Sequence, residues 1–150
     1  MRQQKIRILI GTDGSDGAAR ALDVASEFAH HLDADLHIIH VLAADNFADE
    51  RALRELARQE HTAVGDLQTA FYDQLVAKAS ERAKSFGVAI VHTHYPRGDP
   101  AQIIIEFALT HRVDTIVVGR RGRGRLAGLL LGSVSQKLTA LAPCNVLVVP

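Results

Sequence analysis

Between Gly119 and Ser135 the chain packs five glycines, four arginines and two serines into one segment, Gly119-Arg-Arg-Gly122-Arg-Gly124-Arg-Leu-Ala-Gly128-Leu-Leu-Leu-Gly132-Ser-Val-Ser135. Glycine backbone wraps closely around a phosphate chain, because without a Cβ it accepts positive φ and presents its N–H groups unobstructed. Gly132-Ser133-Val134-Ser135 reads as the opening of a helix, where free amides, the positive end of the dipole and serine hydroxyls form an anion site. Far away in sequence, Gly11-Thr12-Asp13-Gly14-Ser15 sets a carboxylate in a turn. A carboxylate facing such a cradle could hold Mg²⁺ against phosphates; the same Asp13 could equally close the turn or cap the helix that follows. The chemistry these residues share is the binding of a nucleotide.

The elements that must position them follow from hydrophobic periodicity. Ile6–Ile10 is a short β-branched run that predicts a buried strand. Ala18, Ala21/Leu22, Ala25, Phe28/Ala29 and Leu32 recur at helical spacing behind Ser15 or Asp16 as cap. Leu36–Leu42 predicts a second strand. A long helical region follows, charged over Asp49–Glu60 and cleaner from Val64 to Phe86, with Gly65 as a break or kink and Gly87 at the stop position. Val88–His94 predicts a third strand, Pro100–Leu109 a helix with proline in its first turn, and Val113–Val118 a fourth strand. Gly132–Leu141 predicts a short helix and Asn145–Val149 a last strand.

Strands alternating with helices imply right-handed crossovers and a parallel sheet covered on both faces. The fold expected is therefore α/β: one domain over residues 1–150, a doubly wound five-stranded parallel sheet of order 3-2-1-4-5. In such a sheet ligands sit beyond the carboxyl ends of the strands, where the winding direction reverses. That point lies between strands one and four, which end in the Asp13 turn and in the glycine- and arginine-rich segment.

The spacing Gly119-x2-Gly122-x9-Gly132-Ser133 resembles the G-x2-G-x9-G-[S/T] pattern of the universal stress protein family. The Thr12-Asp13-Gly14-Ser15 exit of the first strand and the closing Ala142-Pro143-Cys144-Asn145-Val146-Leu147-Val148-Val149 resemble that family too, so the likeness covers essentially the whole chain. It implies ATP in the crevice, with Gly119, Gly122, Gly132, Ser133, Val134 and Ser135 around the phosphates and ribose. It also implies that Thr12 and Asp13 face the ribose, phosphates or Mg²⁺, and that the backbone of Val41 meets adenine. The loop is more basic than the pattern requires. Arg121 and Arg123 are its candidate phosphate contacts; all four arginines could also form a solvated surface.

Other chemistries fit less well. A P-loop needs a lysine and a hydroxyl after its second glycine, but Arg125-Leu126 follows Gly124. Gly122-x-Gly124-x3-Gly128 follows the fourth strand, not the first strand of a βαβ unit as a dinucleotide fingerprint does. His92-x-His94 places two rings on one strand face and His30-His31 is a further pair, yet neither has a thiolate or carboxylate at an obvious ligand spacing. Cys144 reads as a small packed side chain.

Lys+Arg and Asp+Glu are both 17, so no global field draws the chain to nucleic acid, and 5% aromatic content without tryptophan offers no stacking platform. No apolar run approaches the ~20 residues of a membrane span. One cysteine fits a reducing compartment, so the cytoplasm is expected. No motif places a base to activate water, and the reading is of a nucleotide-dependent regulatory or stress-response protein with at most slow hydrolysis. A second reading is an interaction module acting without nucleotide. Strand 145–149, apolar on both faces and at the sheet edge, is expected to pair with a second copy in a homodimer. The regulatory protein partner is not legible.

Overall fold

The computed structural model describes residues 4–42, 47–122 and 130–150. Five strands form one parallel sheet in the order β3-β2-β1-β4-β5: β1 Arg7–Gly11, β2 Asp35–Ile39, β3 Val91–His94, β4 Thr115–Gly119 and β5 Asn145–Val149. Helices α1 (Asp16–His31), α2 (Phe47–Gln59), α3 (Val64–Ser85), α4 (Pro100–Thr110) and α5 (Ser133–Leu141) connect them. The expected α/β class, strand order and parallel pairing are all observed.

The central strands are buried on both faces because helices cover both. On one side Ile8, Ile10, Leu36, Ile38 and Val117 pack against Ala21, Leu22, Ala25 and Ala29 of α1 and Ala83 of α3. On the other, Leu9, Ile39, Ile116 and Val118 meet Ile104 and Ala108 of α4 and Leu138 of α5. The run of alanines on α1 brings its axis close to the sheet, and the approach is tightest at β4. A Cβ added at Gly119 would lie 2.9 Å from the Gly17 carbonyl carbon and 3.2 Å from the Ala18 nitrogen.

Element boundaries depart most from the sequence expectations in three places, besides shifts of one or two residues such as the fourth strand's start at Thr115 in place of Val113. The third strand begins at Val91, not Val88: Val88 is buried, but only the Ile90 carbonyl joins the sheet before Val91, accepting from Leu36 N–H at 3.0 Å. The second strand ends at Ile39, with Leu42 reached through an isolated bridge to Arg97. The long helical region is two helices, and the break falls at residues 60–63, where His61 has φ 52°, so Gly65 lies inside the first turn of α3.

Candidate functional site

The helices α1, α4 and α5 follow β1, β3 and β4 at the carboxyl end of the sheet, and their amino termini are built differently. The first three amides of any α-helix lack intrahelical acceptors. In α1 the Ser15 side chain accepts from Ala18 N–H at 3.2 Å, and in α4 Asp99 accepts from Gln102 N–H at 3.0 Å with Pro100 just inside the start. The residue preceding α5 is Gly132, which has no side chain to cap with, and no such bond is made there. The amides of Ser133, Val134 and Ser135 are thus left to meet whatever occupies the space in front of them.

That space is a crevice between the ends of β1 and β4. Its walls include Thr12, Asp13, Val41, Gly119, Arg121, Gly122, Gly132, Ser133, Val134 and Ser135. Ten of the eleven residues anticipated from the sequence therefore surround one opening; Arg123, with Gly124, Arg125 and Gly128, lies outside the described residues.

The two carboxylate oxygens of Asp13 face different neighbours. One carboxylate oxygen, Oδ1, accepts from Ser15 N–H at 2.9 Å and closes the turn, in which Gly14 at φ 79° occupies the left-handed region that glycine favours. The other, Oδ2, faces Gly122 so closely that a Cβ there would overlap it. A side chain at Gly122 would therefore displace the Asp13 carboxylate. Gly119 answers mainly to α1, as its contact with Gly17 shows.

The two serines of α5 separate in role. Ser133 is exposed at the crevice. Ser135 is buried, and its hydroxyl lies 2.9 Å from the Arg120 carbonyl and 3.1 Å from that of Gly132. Its single proton is spent on backbone, so of the hydroxyls expected to form the anion site this one serves to hold the Gly119–Gly122 segment against α5, while its amide remains at the opening. A backbone bond from Gly132 N–H to Arg120 O at 2.8 Å reinforces the same junction.

Several participants were not anticipated. The buried His40 sends its Nδ1 to the Thr12 carbonyl at 2.9 Å, and Thr12 N–H donates to Ile39 O at 2.9 Å. Together these bonds fix the loop that carries Asp13. His40 stands one residue beyond β2, and nothing in its spacing distinguishes it from other histidines. Pro100 and Ile104 of α4 form an apolar wall, legible only once the path of α4 across the sheet is known. Val41 follows His40, whose N–H bonds His94 O on β3 at 2.9 Å, and precedes Leu42, whose N–H bonds Pro96 O at 2.8 Å. Since peptide groups alternate direction along a parallel strand, those of Val41 face the β1 side, where β1 has already turned away.

The pair His30 and His31 is committed elsewhere: the first ring bonds Gly87 O at 3.1 Å and the second Glu27 O at 2.7 Å. Cys144 packs beside the α4 and α5 core, and burial pushes its thiol pKa up, disfavouring the thiolate. Among the described residues no helix is long and apolar enough to cross a membrane.

Comparison with known proteins agrees with this fold. The model of the "Universal stress protein family" matches residues 6–150. Universal stress protein YxiE of Bacillus subtilis is 33% identical over 146 residues, covering 95% of this chain and 97% of that protein. The solved universal stress protein UspA from Lactobacillus plantarum superposes with a TM-score of 0.79 at 24% identity, over 99% of this chain and 100% of its own. Another solved universal stress protein, in complex with cAMP, superposes with a TM-score of 0.70 at 26% identity over 99% and 98% of the two chains. The chain belongs to the universal stress protein family.

Proposed function

We propose that the crevice binds an adenine nucleotide, ATP with Mg²⁺, and that its occupancy is a regulatory signal in a stress response. The observation that carries this reading is the uncapped amino terminus of α5, opening onto the same crevice as Asp13. Amides and a helix dipole stabilise phosphate oxygens, and a carboxylate lining the same crevice would supply a ligand for a divalent cation that offsets their charge. Asp13 suits that role, since its Oδ2 is turned toward Gly122 at the opening. Arg121, exposed at the rim, supplies positive charge to the phosphates, and Arg123 would add to it. The outward-facing peptide groups of Val41, between apolar Ile39 and Ile104, suit the edge of an adenine ring. That a relative solved with cAMP shares the fold at 26% identity supports an adenine ligand.

The crevice side chains bind and orient, so the chain is read as a nucleotide binder, with slow Mg²⁺-assisted hydrolysis as the most it would do. The chain is taken to work in the cytoplasm. Calorimetric titration with ATP and Mg²⁺ tests the reading: saturable heat, abolished by Gly122→Val, is expected. No saturable heat at millimolar nucleotide overturns it.

A second copy is the proposed partner at β5. Val146 and Val148 pack toward one face and Leu147 and Val149 toward the other, yet the strand lies at the sheet edge with Val146, Leu147 and Val148 only half-buried. Antiparallel pairing of two such edges would extend the sheet across a twofold axis. A dimer mass in solution at micromolar concentration is expected, and a monomer mass contradicts it.

A further inference from the structure

At the opposite end of α4 from the crevice, four histidines from three parts of the chain meet on one face of the sheet. His37 on β2 stacks on its register partner His92 on β3, with ring centres 4.7 Å apart. His37 Nδ1 lies 3.2 Å from His94 Nε2. Phe107 of α4 covers the group, 4.7 Å from the His94 ring and 5.6 Å from His37, and itself stacks on His111, the residue that ends α4, at 3.8 Å. The rings stack instead of converging, and among the described residues no group of three or more His, Cys, Asp or Glu side chains is arranged to hold a metal ion.

The patch is poorly provided with negative charge. Asp35, on β2 beside His37, already faces the Lys5 ammonium at 3.0 Å. From β1, across His37, comes the apolar Leu9, while the Arg7 guanidinium of the same strand donates to the His111 carbonyl at 2.9 Å and adds a further positive charge. Asp114, following α4, accepts from Arg7 N–H. The His37–His94 hydrogen bond needs one bare nitrogen; two doubly protonated rings would point N–H at N–H.

We propose that this four-histidine patch is an acid-sensitive latch: proton uptake there releases the carboxy-terminal half of α4 from the sheet and, because Pro100 and Ile104 at the other half of the helix wall the crevice, weakens ligand binding. The coupling to ligand rests on the nucleotide reading; the latch itself does not. Burial, then the neighbouring His92, His94 and His111, lowers the His37 pKa from an ordinary 6.5 to about 4, against an opposing pull from Asp35. Burial, then His111 and His92, lowers that of His94. A histidine whose folded pKa lies below its unfolded one takes up fewer protons in the folded state, so the stability it contributes is present above about pH 6.5 and lost as pH falls toward 4. The effect is concentrated in the covered pair His37 and His94.

Hydrogen exchange of the full chain without ligand, read as protection factors so that intrinsic pH effects cancel, tests the latch at pH 7.5 and 5.5. Protection of the Ile105–Thr110 amides is expected to fall about tenfold on acidification while α1 changes less, and His37→Gln and His94→Gln are each expected to cut the fall to about threefold or less. His94→Gln, at the less buried position, keeps the test intact should His37→Gln fail to fold. Unchanged α4 protection, parallel loss in α1 and α4, or an undiminished response in both folded variants overturns the latch. ATP affinity measured at the two pH values in wild type and His94→Gln completes the test. A larger acid loss in wild type supports the coupling, equal losses overturn it, and no binding at pH 7.5 overturns the nucleotide reading while leaving the exchange result to judge the latch.

Discussion

The helices α1 and α5 both start beside the crevice at the same end of the sheet, each after a strand that ends in glycine, and they are finished in opposite ways. Ser15 satisfies an amide of α1 from within the chain. Gly132 leaves those of α5 open to the crevice. The first arrangement stabilises the fold whether or not anything is bound; the second leaves its donors open, and in the proposed function they receive a ligand. A serine or aspartate would fit where the chain has Gly132, and the proposed binding site rests on that missing cap beside a carboxylate-faced opening.

The sharpest way to break the contrast is at the opening itself. Gly122→Val would drive Asp13 Oδ2 out of position, and nucleotide affinity is expected to fall about a hundredfold or more by calorimetry. Melting should change little, because Gly122 is exposed. Gly119→Ala should do the reverse. Its Cβ would press on the Gly17 backbone at 2.9 Å, and the expected cost is about 2 kcal/mol of unfolding free energy by denaturant titration.

Giving α5 the finish that α1 has sharpens the comparison further. Gly132 sits at φ −68°, ψ 165°, open to any residue, and a Cβ there would meet nothing nearer than 3.4 Å. Gly132→Asp is therefore expected to leave stability unchanged or slightly raised, and to weaken nucleotide binding about tenfold as its carboxylate occupies the amides and repels phosphate. The smallest effect is expected from Ser15→Ala: about 1 kcal/mol less stability in thermal melts, with affinity changed less than about threefold. A larger loss of binding than of stability there would erase the distinction between the two helices.

Much of this contrast is legible in the sequence, because glycine spacing, a turn carboxylate and alternating strands and helices are local signals with global consequences. Strand β5 is read to both its ends, bounded by Pro143 and the close of its apolar run. What sequence leaves hidden depends on register and on helix path. His92 and His94 are visibly on one face, but that His37 stacks on His92 follows from the β2–β3 register, and that His111 joins them follows from where α4 ends. The same holds for Ile104, an ordinary core residue by type that walls the crevice because α4 crosses there, and for Ser135, whose hydroxyl goes to Arg120 O when its sequence position suits an anion equally well.

The central claim, that the open amides of α5 receive the phosphates, is tested most directly by following backbone amide resonances during titration with ATP and Mg²⁺. Saturable shifts largest at Ser133, Val134 and Ser135, with a smaller response at the capped Ala18 amide, are the expected result. Saturation that leaves those three amides unmoved would contradict it.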